Sequence, residues 1–261
     1  MRLKDKVVIV TGSTSGIGEA IARRCVEEGA RVLVHGLEPD LGEAVAASLG
    51  DAAALHVDDL GDPESAPRVV EAALAAFGRI DALVNNAARV ERGTLETTDA
   101  EAFDRVLAVN TRAPLLLIRA ALPELERRRG AVLNVGSVNA YCGEPTFVAY
   151  SASKGALMTL TRNLGDTLHR ERGVRVNQIN PEWVLTEGEK RVQERQGNPP
   201  DWHEKIPPQW APSGRLIQPE EIAAAAVYWI GDESRPMSGS VVDLGQFPLI
   251  GRNPPKDLTD R

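Results

Sequence analysis

The chain has 261 residues, with 30 Lys and Arg against 37 Asp and Glu; the net charge of −7 leaves no basic stripe for nucleic acid. That length suits one large α/β domain spanning residues 1–261, with a substantial core. Residues 1–6 lack the apolar core of a signal peptide, the longest apolar run, 222–230, is too short to cross a bilayer, and Cys25 and Cys142 are too few for a disulfide framework and lack metal-ligand spacing, so a cytoplasmic protein with no membrane and no metal is expected.

The run Val7-Val8-Ile9-Val10 reads as a strand buried on both faces, the habit of parallel sheets covered by helices. It feeds into "TGSTSGIGEA", where Gly12, Gly16 and Gly18 let the chain turn sharply and bring its backbone close to a ligand. Residues 19–28 then follow helical periodicity, so the loop ends at a helix N-terminus, whose free N–H groups and positive dipole end suit a pyrophosphate. A tight turn with no ligand is the alternative. Further strands are expected at 31–35, 53–57, 81–85, 131–136, 174–179 and 240–244, with helices near 39–49, 63–77, 99–127, 147–172 and 219–231. This alternation predicts a Rossmann-like, doubly wound, seven-stranded parallel sheet flanked by helices on both faces. Residues 183–218, rich in Pro, Trp, Glu and Arg, break the rhythm and read as a lid or as a disordered surface loop. The tail, 245–261, reads as an extended end, either mobile or wrapped on a neighbouring subunit.

Chemistry concentrates in "NVGSVNAYCGEPTFVAYSASKGAL". Ser137 falls just past a strand, and Tyr150 and Lys154, four apart, share one helical face. An ammonium beside a phenol favours the phenolate and is expected to lower the Tyr150 pKa, making it an acid/base near neutral pH.

With these motifs in this order, the whole chain resembles the short-chain dehydrogenase/reductase family. The loop from Thr11 to Gly18, with Gly12, Ser13, Ser15, Gly16 and Ile17, resembles the family's cofactor loop, and Asn85-Asn86-Ala87-Ala88 its "NNAG", with Ala88 in place of the last glycine. Asn110 falls where the family has its helix-borne catalytic asparagine, and Ser137 lies at the family's distance before Tyr150. Asp59 and Leu60 resemble the pair that brackets the adenine; Pro181, Val184 and Thr186 resemble the stretch beside the nicotinamide carboxamide. The resemblance implies an oxidoreductase interconverting a secondary alcohol and a ketone by hydride transfer with NAD or NADP. In it Tyr150 moves the proton, Ser137 holds the substrate oxygen, Lys154 lowers the Tyr150 pKa and holds the nicotinamide ribose, and Asn110 anchors a water path to solvent. It also implies a homodimer or homotetramer through the helices near 99–127 and 147–172.

At the end of the second strand Gly36 and Leu37 stand where the family places an acid for the ribose hydroxyl or an arginine for a 2′-phosphate; with Glu38 and Asp40 nearby, repulsion favours NAD over NADP. By family position Arg89, Asn139, Glu144, Phe147, Glu182 and Trp183 surround the reacting carbon. Glu182, which replaces a family glycine, faces either the substrate or a local salt bridge. This mostly polar wall suits a sugar or polyol. A small hydroxy acid clamped by Arg89, Lys190 or Arg191, or a 3-oxoacyl compound, is the alternative. A large apolar alcohol ranks behind both. Trp202 and Trp210 either stack on a sugar ring or pack the segment itself. A redox sensor that binds the dinucleotide without turnover would need none of Asn110, Ser137, Tyr150 and Lys154.

Overall fold

In a computed structural model, residues 1–141 and 143–248 are described. The expected strands form β1 (Val7–Val10), β2 (Arg31–Gly36), β3 (Ala53–Val57), β4 (Ala82–Asn85), β5 (Ala131–Val135), β6 (Arg175–Pro181) and β7 (Val241–Leu244). All pair in parallel in one seven-stranded sheet of order β3-β2-β1-β4-β5-β6-β7. Alternate strand residues point to opposite faces, so the sheet builds two cores. Val8 and Val10 pack with helices α1 (Gly16–Glu27) and α8 (Pro219–Ile230). Ile9, Leu83 and Val132 pack with α3 (Ser65–Phe77) and α5 (Ala113–Arg128). Helix α2 (Pro39–Leu49) joins the first core through Val45, and the long helix α6 (Val148–Arg172) lies against β6.

The strand order reverses direction between β1 and β4. In open α/β sheets the crevice at the carboxyl ends of such a pair is where ligands bind. The glycine loop leaves β1 there and Asn86 leaves β4 there.

One expectation needs correction, and one of two open readings falls. The helix near 99–127 is α4 (Ala100–Leu107), a π turn (Ala108–Arg112) and α5, and the π turn carries Asn110. By length and composition this helical run, 100–128, is apolar enough to cross a bilayer, a stretch longer than 222–230. Its residues Leu117, Ile118, Ala121 and Leu125, however, are buried in the core shared with α3. Segment 183–218 is not a structureless loop. It contains α7 (Glu187–Arg195) and a small core of its own, Trp202, Ala211 and Leu216, with Trp183, Leu185 and Ile206 packed against it. Cys142 and most of the tail, 249–261, lie outside the described residues.

Candidate active site

The glycine loop is shaped by what a side chain would strike. Gly12 and Gly16 have φ of +61° and +59°, the left-handed region that glycine enters without strain. A Cβ on Gly18 would lie 2.1 Å from the Gly12 carbonyl oxygen and 2.4 Å from Asn86 Nδ2. Asn86 Nδ2 donates to the carbonyls of Thr11 and Gly12, at 2.9 Å each, and the N–H groups of Asn86 and Ala87 donate to Thr11 Oγ1. The amide of Asn86 is therefore spent on fixing the loop. Ser15 is exposed at the mouth of α1 and its side chain makes no capping bond, whereas Ile17 packs on the core. Ser13 is fully buried; its hydroxyl donates to the Val10 carbonyl at 2.6 Å and accepts from the His35 N–H at 3.0 Å, so it seams β1 to β2 and presents nothing to a ligand.

Around that loop, Leu37 is exposed at the end of β2, while Leu60 is buried in the α3 core, leaving Asp59 on the surface. The methyl of Thr186 lies 3.5 Å from where a Gly16 Cβ would be, and its hydroxyl caps α7 by accepting from the Glu189 N–H at 3.0 Å. Buried Val184 bridges to Ile217, which fastens the start of segment 183–218, just past Pro181, beside the loop.

Past β5, Ser137 Oγ accepts from the Asn139 N–H at 3.1 Å and reaches the Tyr150 phenol. Lys154, almost wholly buried, sends Nζ to the Val135 carbonyl at 2.8 Å and lies 5.7 Å from the centre of the Tyr150 ring. Burial pushes Lys154 down to about 8, since the interior disfavours its charged form. Tyr150 departs from expectation. Burial and the nearby Glu144 charge hold its phenol above the ordinary tyrosine value, opposed by the Ser137 hydrogen bond. The lysine ammonium is aimed at a backbone carbonyl, not at the phenol oxygen.

Asn110, 1% exposed, is also fully engaged: Oδ1 accepts from the Arg89 N–H at 2.7 Å, and Nδ2 donates to the Arg89 carbonyl and to Ser153 Oγ. Ser153 Oγ in turn donates to the Tyr150 carbonyl at 2.6 Å. Sequence reasoning passed over Ser153, although its place three residues after Tyr150 and next to Lys154 put it on the same helical face.

The expected substrate wall is only partly assembled. The Phe147 ring lies 5.6 Å from Tyr150, with the Arg92 guanidinium 4.4 Å above Phe147; the Glu144 charge acts on the phenol, and the Asn139 N–H donates to Ser137 Oγ. Arg89 is exposed and paired with Glu91 at 2.9 Å. The Glu182 carboxylate accepts from the Gln246 N–H at 2.9 Å, just past β7. Trp183 stacks on Trp202 at 5.3 Å and donates Nε1 to Glu189. Trp202 is thus packing, while Trp210 is exposed. Among the described residues no cluster of His, Cys, Asp and Glu could hold a metal.

Comparisons with known proteins agree with this architecture. Residues 12–245 match the family model described as Enoyl-(Acyl carrier protein) reductase. The chain is 37% identical to D-threitol dehydrogenase of Mycolicibacterium smegmatis, over 94% of each chain. It is 35% identical to 2-(S)-hydroxypropyl-CoM dehydrogenase 3 of Xanthobacter autotrophicus, over 95% of this chain and 99% of that one. The crystal structure of 3-ketoacyl-(acyl-carrier-protein) reductase from Brucella melitensis, complexed with NADH, superposes with a TM-score of 0.83 at 30% identity, over 93% of this chain and 97% of that one. The chain belongs to the short-chain dehydrogenase/reductase family.

Proposed function

We propose that the protein is an NAD-dependent oxidoreductase that interconverts a secondary alcohol and a ketone, with a sugar or polyol as substrate. The observation that carries this reading is the convergence of Ser137, Tyr150 and Lys154 at the carboxyl end of β5, on the same side of the sheet as a glycine loop in which Gly12 and Gly18 have no room for a side chain.

A nicotinamide dinucleotide fits that loop: its glycines let the backbone come close to a ligand, and the N-terminus of α1 offers free N–H groups to a pyrophosphate. Gly12, Gly16 and the exposed Ser15 would hold the phosphates, and Val184 and Thr186 the carboxamide end. When bound, the dinucleotide accepts or returns the hydride. The chain supplies placement and proton handling. Ser137 donates to the substrate oxygen, and the Tyr150 phenol exchanges a proton with it. With burial holding the phenol high, Tyr150 is a proton donor at neutral pH, which suits ketone reduction. Oxidation requires that Lys154, at about 8, carry its charge when the proton is taken.

The preference for NAD rests on Glu38. The Thr14 hydroxyl, packed where a Gly36 Cβ would be, donates to Glu38 Oε2 at 3.0 Å, so a carboxylate is held next to the end of β2. There it would accept from a ribose hydroxyl and repel a 2′-phosphate. The polyol reading gains from the engagement of two of its rival's three candidate clamps: Arg89 is paired with Glu91 and Lys190 with Glu187, which leaves Arg191. A relative named for D-threitol, a polyol, points the same way. A homodimer or homotetramer in a reducing cytoplasm, where buried Cys25 stays a thiol, completes the reading.

The test is absorbance at 340 nm with NAD and then NADP against sugars, polyols, hydroxy acids and secondary alcohols, with Tyr150→Phe as control. Turnover on a polyol that falls by roughly 10³-fold in the variant is expected. Activity that survives in Tyr150→Phe overturns the proton role. Silence throughout, with NAD still bound, supports the redox-sensor alternative.

A further inference from the structure

A continuous chain of buried polar side chains runs under the candidate site, crossing β4, β5, α6, β6 and β7. Asn85 Nδ2 donates to Asn134 Oδ1 at 2.8 Å, and Asn134 Nδ2 to Thr161 Oγ1 at 2.8 Å. The Thr161 hydroxyl, shared with the Leu157 carbonyl, donates to Gln178 Oε1 at 2.8 Å. Gln178 Nε2 donates to Asn180 Oδ1 at 2.7 Å, and Asn180 Nδ2 to Asp243 Oδ1 at 3.0 Å. Asn134, Thr161, Gln178 and Asn180 are completely buried, whereas Asp243 is exposed on β7, the edge strand.

The carboxylate dictates the direction of every link. An ionised Asp can only accept, so Asn180 must turn its NH₂ to Asp243 and its oxygen to Gln178. Gln178 must then offer NH₂ to Asn180 and oxygen to Thr161, which must donate and so accept from Asn134. Asn134 therefore turns its oxygen to Asn85. The orientation is fixed from the surface inward, and links aligned head to tail polarise one another. At the head, Asn85 Oδ1 is buried with no partner among the described residues.

This chain also touches the site. A Cβ on Gly136 would fall 2.2 Å from Asn180 Oδ1 and 2.3 Å from Gln178 Nε2, so the backbone between the Val135 carbonyl that holds Lys154 and Ser137 rests directly on the two amides. Thr161 belongs to the helix that carries Tyr150 and Lys154. Tyr141, where the Ser137 turn ends, donates its hydroxyl to Asp243 Oδ1 at 3.0 Å. Both ends of the turn are therefore tied to the chain.

We propose that Gln178, Asn180 and Asp243 are positioning residues: the Asp243 carboxylate on the edge strand orients a buried amide chain that holds the Ser137 turn against the helix bearing Tyr150 and Lys154. The functional meaning rests on the roles given to Ser137 and Tyr150 above. The primary readout needs no substrate, so a failed alcohol screen leaves it decidable.

The experiment follows the Tyr150 phenol by NMR of protein labelled with [ζ-¹³C]tyrosine, the Tyr150 signal being assigned by its loss in Tyr150→Phe. Asp243→Asn removes the terminal anion, Asp243→Glu keeps it, and Gly136→Ser pushes on the amides from the other side. Loosening the turn weakens the Ser137 hydrogen bond that opposes the upward shift of the phenol. Asp243→Asn and Gly136→Ser should therefore each raise the Tyr150 midpoint by about 0.5 pH unit or more, and Asp243→Glu should restore it. If Gly136→Ser does not fold, Gln178→Met, which removes both links while keeping volume, takes its place. Where a turned-over alcohol is in hand, kcat should fall about tenfold with the KM for NAD within about twofold. A lower melting temperature with an unmoved Tyr150 midpoint would overturn the proposal, as would Asp243→Glu behaving like Asp243→Asn, since either means that the chain only stabilises the sheet.

Discussion

The glycine loop and segment 183–218 flank the same crevice and are built in opposite ways. The loop is fixed by short-range geometry: positive φ at Gly12 and Gly16, a forbidden Cβ at Gly18, and an Asn86 amide reaching one strand across. Segment 183–218 is fixed by its own small core, Trp183 on Trp202 over Ala211 and Leu216, and by distant ties such as the Ser213 N–H to Gln246 Oε1 and Gln246 Nε2 to the Arg215 carbonyl. Loop positions have one tolerated residue type and little freedom; segment positions depend on which partner a side chain finds. Substitutions in the loop should accordingly be severe and local in cause, and those in the segment and on the rim mild.

The largest effect should come from Gly18→Ala. Its methyl would meet the Gly12 carbonyl, which is backbone, and the Asn86 amide, which two hydrogen bonds hold in place, so the loop itself must move. An overpacking cost of about 1–3 kcal/mol is expected, with NAD affinity weakened by up to ~100-fold. Calorimetric titration with NAD measures this, and an unchanged Kd would mean that the loop is more yielding than the comparison holds.

Lys154→Met comes next. In the wild type the folded-state value of about 8 lies below the free value of 10.5, so the unfolded chain binds the proton more tightly. Below pH 8 the fold carries the whole cost of burying the ammonium, and between about pH 8 and 10.5 that cost fades, so stability rises with pH through that window. The variant lacks this term. Wild-type stability minus variant stability should therefore grow by about 3 kcal/mol from pH 8 to 10.5 in urea titrations. A flat difference would show that Lys154 is better solvated than its burial implies.

Glu38→Arg should act more gently, because Glu38 is exposed and only its link to Thr14 positions it. Binding should shift toward NADP by about tenfold to a hundredfold, read as the ratio of the two Kd values. No change in that ratio would remove Glu38 from cofactor choice.

The same contrast explains what could be read from residues alone. Strands such as 53–57, and Tyr150 with Lys154 on one helical face, follow from periodicity, which regular backbone obeys. Asn110 could be located, but not its π turn, because no residue pattern distinguishes that turn from the helix around it. The course of Glu182 was not readable from its neighbours in sequence, since a hydrogen-bond partner is contributed by the chain beyond β7, 64 residues away. Lys154 beside Tyr150 suggested a lowered phenol pKa because spacing gives proximity; it gives no account of the Val135 carbonyl that takes the ammonium, nor of the burial that outweighs it. The buried amide chain was equally out of view, because Gln178 and Asn180 look like interruptions of a strand until Gly136 is seen to make room for them.

Arg89→Ala should have the smallest effect, and it is the sharpest probe of the rim. The chain holds Arg89 by its backbone: its N–H donates to Asn110 Oδ1 and its carbonyl accepts from Asn110 Nδ2. The guanidinium points away to Glu91, and about half of the side chain is exposed. An exposed ion pair contributes about 0–1 kcal/mol. Truncation keeps both backbone links, so Asn110 stays in place and stability should change by less than about 0.5 kcal/mol. If the substrate is an uncharged polyol, KM should move by less than about twofold. If it is a hydroxy acid, the guanidinium would have to leave Glu91 to meet the carboxylate, and KM should rise by about tenfold or more. That outcome would return Arg89 to the binding wall and make the rim respond to ligand where the glycine loop does not.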